Sequence, residues 1–198
     1  MIILQNKDLL QKGSERACYE HPFDKNKIIK IVYNQKGKNN QNDQELYYYN
    51  FLNKQNIDYN NISICYGKID TNLGEGLVFE KIIDYDGNIS KTLRHYLKLN
   101  KFDNNKVETL LNDLKKYLFK YKIIFSDPTS VNVLCKRLSE DDYKLIIIDG
   151  LGSKRKDIKL FFSMYFSSYR NYKTYKQWEK FISNIKRVKE KIRLNQKL

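Results

Sequence analysis

Two acids and a carboxamide near the middle of the chain have the types and spacing that phosphoryl transfer requires. Asp127 lies in a proline-containing loop within the stretch IIFSDPTSVNVL (residues 123–134), Asn132 follows five positions later, and a short apolar strand begins at Val133. After a polar connection, Leu145 to Ile148 form a second apolar strand that delivers Asp149 into Gly150-Leu151-Gly152. Asp127 could accept the proton of an attacking hydroxyl, while Asn132 and Asp149 could hold magnesium against nucleotide phosphates. Asp and Asn are common in this chain, so a turn-capping Asp beside an unrelated Asn would look the same in isolation. The chemistry therefore depends on what the preceding elements supply.

Three short strands are expected within residues 4–33. The first connection contains Gly13 and Ser14; a glycine there could bring backbone N–H groups near phosphate, and a plain hairpin turn would have the same sequence. The run Lys27 to Tyr33 alternates so that Ile28, Lys30 and Val32 share one face. A lysine among such neighbours either snorkels at an edge or enters a cleft where an anion compensates it. A helix is expected from Asp43, with Leu46, Tyr49 and Leu52 as its apolar positions. Glu45 on its flank could pair with Lys30 or serve the helix dipole. Two further strands are expected over 62–67 and 76–82.

Helical periodicity begins at Ser90, a candidate N-cap, and continues in a longer helix opened by Asp103, where Val107, Leu110, Leu114 and Leu118 form a stripe. His95 reads as solvent-facing. A capping box at Thr174 to Gln177 predicts the start of a last helix carrying Trp178, Phe181, Ile185 and Val188. Its other face and tail are cationic: Lys180, Lys186, Arg187, Lys189, Lys191, Arg193 and Lys197, with a further basic run at Lys154 to Lys156. This face is either simply solvated or in contact with an anionic surface.

The 198 residues suit one medium domain or two small lobes. No run is long and apolar enough to span a bilayer, and the N-terminus lacks a basic-then-apolar signal, so a cytoplasmic chain is expected. The net charge of +14 would attract phosphates, anionic lipid or nucleic acid. Compositional drift towards Lys, Asn, Ile and Tyr is the competing explanation. The scattered Cys18, Cys65 and Cys135 suggest buried reduced thiols rather than a metal site.

Taken in order, these residues stand as the functional groups of a protein kinase do. The runs GSERACYEHP from Gly13, IIKIVY from Ile28, ELYYYNFL from Glu45 and NVLC from Asn132 resemble more closely the PhoP regulatory network protein YrbL family, small bacterial proteins of protein-kinase-like fold. The resemblance runs from about Gly13 to the Trp178 helix. It implies an α+β, protein-kinase-like fold, with a small β-rich N-lobe over residues 1–80 and a mainly helical C-lobe over 81–198 ending in the basic helix. Lys30 would contact the phosphates of ATP and Glu45 would pair with it. Gly13 and Ser14 would approach the phosphates, and Glu80 to Ile82 would form the hinge that reads adenine. Asp127 would act on the acceptor hydroxyl, and Asn132 and Asp149 would bind Mg2+. Phe125-Ser126 replace the His-Arg of the protein-kinase loop, Gly150 replaces the Phe after the metal acid, and no A-P-E segment is visible. These departures point to a small hydroxyl-bearing acceptor, expected to be a sugar of a bacterial surface polysaccharide or its precursor. Two rivals remain: a pseudokinase that holds nucleotide without transferring phosphate, and an adaptor using the basic C-terminal helix. The partners expected are nucleotide, the saccharide acceptor and an anionic membrane face, which would place the chain at the inner membrane; nucleic acid is the less favoured adaptor target.

Overall fold

Strand-forming runs in the first half of the chain produce a sheet whose central strands are covered on both faces, while its first strand is exposed throughout. The computed structural model describes residues 1–34, 40–153 and 158–196. The centre of the polar loop (35–39), the basic run Lys154 to Asp157, and Lys197 lie outside the described residues. Strands β1 (Leu9–Lys12), β2 (Arg16–Glu20), β3 (Lys27–Val32), β4 (Cys65–Thr71) and β5 (Gly74–Glu80) form an antiparallel sheet in the order β1-β2-β3-β5-β4. Period-two alternation sends Ile29, Ile31 and Val78 to the outer face, where Ile2 and Leu4 cover them. Lys30 lies opposite Cys18 and Leu77, on the face turned towards the rest of the chain.

Strands β4 and β5 begin later and earlier, respectively, than the apolar runs suggested. Gly67, at φ +100°, lies at an irregularity in the β4–β5 register. Residues 61–63 instead attach to a second sheet: Ser63 N donates to Ile147 O at 2.9 Å and Ile147 N to Asn61 O at 2.8 Å. That sheet is antiparallel, with strands β6 (Lys91–Thr92), β7 (Val133–Arg137) and β8 (Tyr143–Ile147) in sequence order.

Helix α1 (Gln41–Asn53) starts earlier than Asp43 because Asn40 caps it, its side chain accepting from Asn42 N at 2.8 Å. Glu45, Tyr48, Tyr49 and Leu52 are buried, while Leu46 is only partly so. Helix α2 (Leu93–Lys98) is capped by Thr92, whose hydroxyl accepts from His95 N at 3.1 Å. Ser90 is not the cap: it is 3% exposed and donates its hydroxyl to Asp84. Helix α3 (Asn104–Tyr121) opens at Asp103 as its sequence predicts, with Lys106 N on Asp103 Oδ1 at 2.6 Å. Helix α4 (Ile158–Tyr165) precedes α5 (Ser167–Arg193), which begins seven residues before Thr174. Thr174 is therefore inside a helix and caps nothing; its buried hydroxyl bonds to Arg170 O at 3.0 Å and Ile123 O at 3.2 Å. The architecture is α+β, with antiparallel sheets and several helices.

The principal core joins α1, β5, both sides of the second sheet's connections, α3 and α5 around Tyr48, Phe79, Leu114, Phe125 and Phe181. Trp178, Phe181, Ile185 and Val188 face it, as their helical spacing predicts. Cys135 is fully buried, whereas Cys18 and Cys65 are half-buried, and all three are free thiols. His95 is exposed.

Gly152 stands at φ +78°, and an added Cβ would lie 2.6 Å from the Tyr48 ring. Both the left-handed backbone and the contact oppose a side chain. Gly152→Ala should therefore cost about 2 kcal/mol or more. A thermal melt should show its midpoint lowered by about 4–8 °C; an unchanged midpoint would contradict the packing described.

Candidate functional site

Period-two alternation within β2 places Arg16 and Cys18 on the same face as Lys30 of β3. Helix α1 approaches this face, and the end of β8 comes up from the other sheet. Their meeting point contains four charges. Arg16 Nη1 donates to Glu45 Oε2 at 2.5 Å, and its Nη2 donates to Asp149 Oδ1 at 2.6 Å. Lys30 Nζ donates to the Ile148 carbonyl at 2.8 Å, lies 3.6 Å from Glu45 Oε1 and sits 4.0 Å above the Phe79 ring. Asn42 ties the group together, accepting from Arg16 at 3.2 Å and donating to Lys30 O at 2.8 Å.

Arg16, Lys30 and Glu45 are each less than a tenth exposed, which makes their mutual pairing a condition of burial. Burial by itself would raise the Asp149 carboxyl pKa. The Lys30 ammonium, and then the Arg16 guanidinium with its hydrogen bond, outweigh that effect, as does the Gly150 N–H at 2.7 Å, so the group is held well below the usual carboxylate range. Both hydrogen bonds fall on Oδ1, and the Asp149 side chain is 34% exposed, leaving the carboxylate an open edge. Glu45 Oε1 is buried without a hydrogen bond and has only the longer Lys30 contact. The expected Lys30–Glu45 pair is therefore present, but Arg16 is the closer partner of Glu45.

The second part of the site is the loop between α3 and β7. Helix α3 ends at Lys122 in the left-handed conformation, and the chain passes through buried Ile123, Ile124 and Phe125 to Asp127. Phe125 packs against Phe181, with centroids 5.4 Å apart. Asp127 N donates to Gly150 O at 3.1 Å, and Asn132 Nδ2 donates to Asp127 O at 3.0 Å and Oδ2 at 2.9 Å. Gly150 has φ +79°, and a Cβ there would stand 2.7 Å from Asp127 Cβ and 3.3 Å from Asn132 Nδ2. Only glycine lets the loop after Asp149 lie so close to Asp127 and Asn132. Ser130 is fully buried: its N–H donates to Asn184 Oδ1 of α5 at 3.1 Å, and its carbonyl accepts from Arg94 N at 3.1 Å.

A hard divalent cation of magnesium size takes oxygen ligands and commonly uses one or two side chains, with phosphate and water completing its shell. Asp149 has its open carboxylate edge. Asn132 turns its amide nitrogen to Asp127, which leaves Oδ1 as its remaining side-chain acceptor. This donor set fits such an ion. Among the described residues there is no group of three or more His, Cys, Asp or Glu able to hold a metal by themselves.

The other sequence-derived residues stand apart from this cluster. Gly13 and Ser14 are exposed in the β1–β2 turn; Gly13 O accepts from Tyr33 and Ser14 O from Asn34, which pins the turn to the end of β3. Glu80 closes β5, with its N–H on Ile64 O at 2.9 Å. Ile82 is buried with Leu134 and Ile146 over half-buried Ile148, and its carbonyl accepts from Ser90 N at 3.1 Å. Arg16 was not among the residues singled out from sequence. The signal available was its parity: it shares the inward face with Lys30, so the question raised by a lysine in an apolar strand applied equally to Arg16.

Removing Arg16 would leave Glu45 buried with only the longer, 3.6 Å contact to the Lys30 ammonium. Arg16→Met should cost about 3 kcal/mol in denaturant unfolding, and Arg16→Met/Glu45→Met should recover about half of it. A single-variant cost below about 1 kcal/mol would refute the buried clamp. The pH dependence has a defined sign. Because the folded-state Asp149 pKa is depressed, its contribution is present above about pH 4 and is lost as pH falls towards the lower value. The stability gap between the wild type and Asp149→Asn should stay level from about pH 7 to 5 and narrow below about pH 4.

Residues 2–186 match the sequence profile of the family described as PhoP regulatory network protein YrbL. Two curated relatives, each named Uncharacterized protein YrbL, come from Escherichia coli (strain K12) and Shigella flexneri. Each is 33% identical over 155 residues, spanning 77% of this chain and 74% of the relative. With nearly the whole chain matched, the protein belongs to the PhoP regulatory network protein YrbL family.

Proposed function

We propose that the chain is an ATP- and Mg2+-dependent phosphotransferase of protein-kinase-like fold. Its acceptor would be a hydroxyl, with a saccharide as the proposed substrate class. The observation that carries this reading is the approach of the Lys30 ammonium, 2.8 Å from Ile148 O, to the strand end that presents Asp149, beside the Asp127–Asn132 pair. In this reading one cation, an acid with an open edge and an acid–amide loop would border a single cleft. In this assignment the sheet β1–β5 with α1 is the smaller lobe.

Each residue acts on a defined charge. Lys30 has three N–H donors and can turn one towards a phosphate oxygen while Glu45 and Asp149 balance its charge. The Ile82, Leu134 and Ile146 cluster offers an apolar floor for a base. Asn132 and Asp149 would hold Mg2+, which supplies neutralisation of the triphosphate charge when bound. Asp127 orients the acceptor hydroxyl and takes its proton as the new O–P bond forms. The bond from the γ-phosphorus to the bridging oxygen breaks, and its electron pair leaves with ADP. Hydrogen bonding from Asn132 fixes the Asp127 carboxylate for that transfer.

The Arg16 clamp on Asp149 favours a second reading, in which the chain binds nucleotide and signals without transferring phosphate. A cation already on the metal acid would oppose metal entry. The family description, which refers to a regulatory network, is compatible with either activity.

Nucleotide-dependent thermal shift and ATP turnover separate the two readings. Mg-ATP at about 100 times its dissociation constant should stabilise the chain by about 2.7 kcal/mol. Asp149→Ala should remove the magnesium-dependent part, and Asp127→Asn should lower turnover by about 100-fold or more while leaving the thermal shift. A magnesium-dependent shift without turnover above that of Asp127→Asn would favour the non-catalytic reading. Turnover unchanged by both substitutions would exclude the proposed mechanism.

A further inference from the structure

Away from the charged cluster, α4 and the first half of α5 have an unusual composition. Residues 158–178 contain eight aromatic side chains, four Lys or Arg and no Asp or Glu, in a chain with 23 acids. Leu160, Ser163, Thr174 and Trp178 are buried, so these helices already give the core one side. The other side is a ridge of exposed rings: Phe161 is 50% exposed, Phe162 42%, Tyr165 68% and Phe166 53%. Phe161 and Tyr165 lie 4.4 Å apart between centroids, and Phe162 and Phe166 5.4 Å. These contacts make a contiguous apolar surface rather than scattered exposed residues.

We propose that this ridge docks the protein on an anionic lipid surface, with the rings at the headgroup boundary and Lys173 and Lys176 of α5 on lipid phosphate. Hydrogen bonds tie the two helices of the ridge together. Arg170 donates to the α4 carbonyls of Ser163 at 3.3 Å and Met164 at 2.8 Å, and Lys122 Nζ donates to Ser167 Oγ at 2.6 Å at the bend between the helices. Lys173 lies 5.7 Å over Tyr169 and Lys176 5.9 Å over Tyr172, so cations flank the rings. Aromatic rings with lysines beside them and no acid within residues 158–178, Glu179 being the next acid along α5, fit an interfacial helix on anionic lipid.

Charge argues against the other occupants. A second copy would bring another predominantly basic face against the first, on a chain of net charge +14. Nucleic acid recognition favours free arginine forks and separated rings for stacking. The patch has a single arginine, committed to the α4 carbonyls, and its phenylalanines pack on neighbouring rings. Among the described residues no helix is long and apolar enough to cross a membrane, so the contact is peripheral. It does not depend on phosphoryl transfer.

Co-sedimentation of the full chain with vesicles tests this. At about 0.1 M salt the protein should bind phosphatidylcholine vesicles containing about 30 mol% phosphatidylglycerol and leave pure phosphatidylcholine unbound. Phe162→Ser/Phe166→Ser and Lys173→Glu/Lys176→Glu should each weaken the partition by about tenfold or more, with the thermal midpoint retained. Lys186→Glu/Arg187→Glu, further along α5, should change it less than about threefold. Equal binding to neutral vesicles, or binding lost only through Lys186 and Arg187, would overturn the proposal. Light scattering that shows a dimer dissolved by the phenylalanine substitutions would do the same, as would single-stranded RNA bound through these rings with no vesicle binding.

Discussion

Four buried or half-buried charges, Arg16, Lys30, Glu45 and Asp149, meet where strands from both sheets and helix α1 converge. Removing any one from water is unfavourable by several kcal/mol unless the others are in place. Their positions are therefore mutually determined: β2 fixes the guanidinium, α1 supplies the carboxylate it requires, and β8 delivers the second acid. The Arg16–Asp149 bond joins residues 133 positions apart in sequence, so the site cannot assemble from either sheet alone. Asn42 extends the constraint to the backbone of β3.

The same region also depends on backbone conformation. Gly150 lets its loop lie against Asp127, and Gly152 lets Tyr48 pack against the chain two residues on. The Tyr48 hydroxyl then accepts from Ile124 N at 2.9 Å, three residues before Asp127. One aromatic side chain of α1 thus connects the segment leading into the Asp127 loop with the segment following Asp149. The helix that carries Glu45 to the charged cluster also buttresses the acid–amide loop, which makes the geometry of the two halves interdependent.

Much of this was legible in the sequence because its signals were local and periodic. Alternation put Lys30 on one face with Ile28 and Val32 and raised the question of a cleft or an edge, which the structure answers with the inward face; helical spacing revealed the α3 stripe and the inward face of α5. The D-x-x-x-x-N spacing located a loop that the structure ties together through Asn132. Signals that depended on competition for partners were misread. Ser90 has good capping chemistry but is recruited by buried Asp84, leaving Thr92 to cap. Thr174 looks like the start of a helix, yet its hydroxyl is drawn into the core against Ile123. Arg16 was missed because a charged residue just after a hairpin turn ordinarily faces solvent; only the position of α1, set by long-range packing, buries it.

The charge balance of the site has a consequence for what it can hold. Two cations and two carboxylates cancel within the cluster, and Asp127 adds a negative charge nearby. A bare triphosphate approaching such a site gains little net attraction. Under the proposed reading a nucleotide needs its own divalent cation, or a guanidinium released from Asp149 and turned towards phosphate. Lys30 is suited to respond, since it has one hydrogen bond to a neutral carbonyl, Ile148 O, and Glu45 Oε1 lacks a close donor. A shift of the ammonium towards Glu45 would satisfy that oxygen, leaving Arg16 less strongly required there. The two buried cations thereby share one carboxylate, and under the proposed reading the partition of Glu45 between them would set how readily Asp149 could accept a metal.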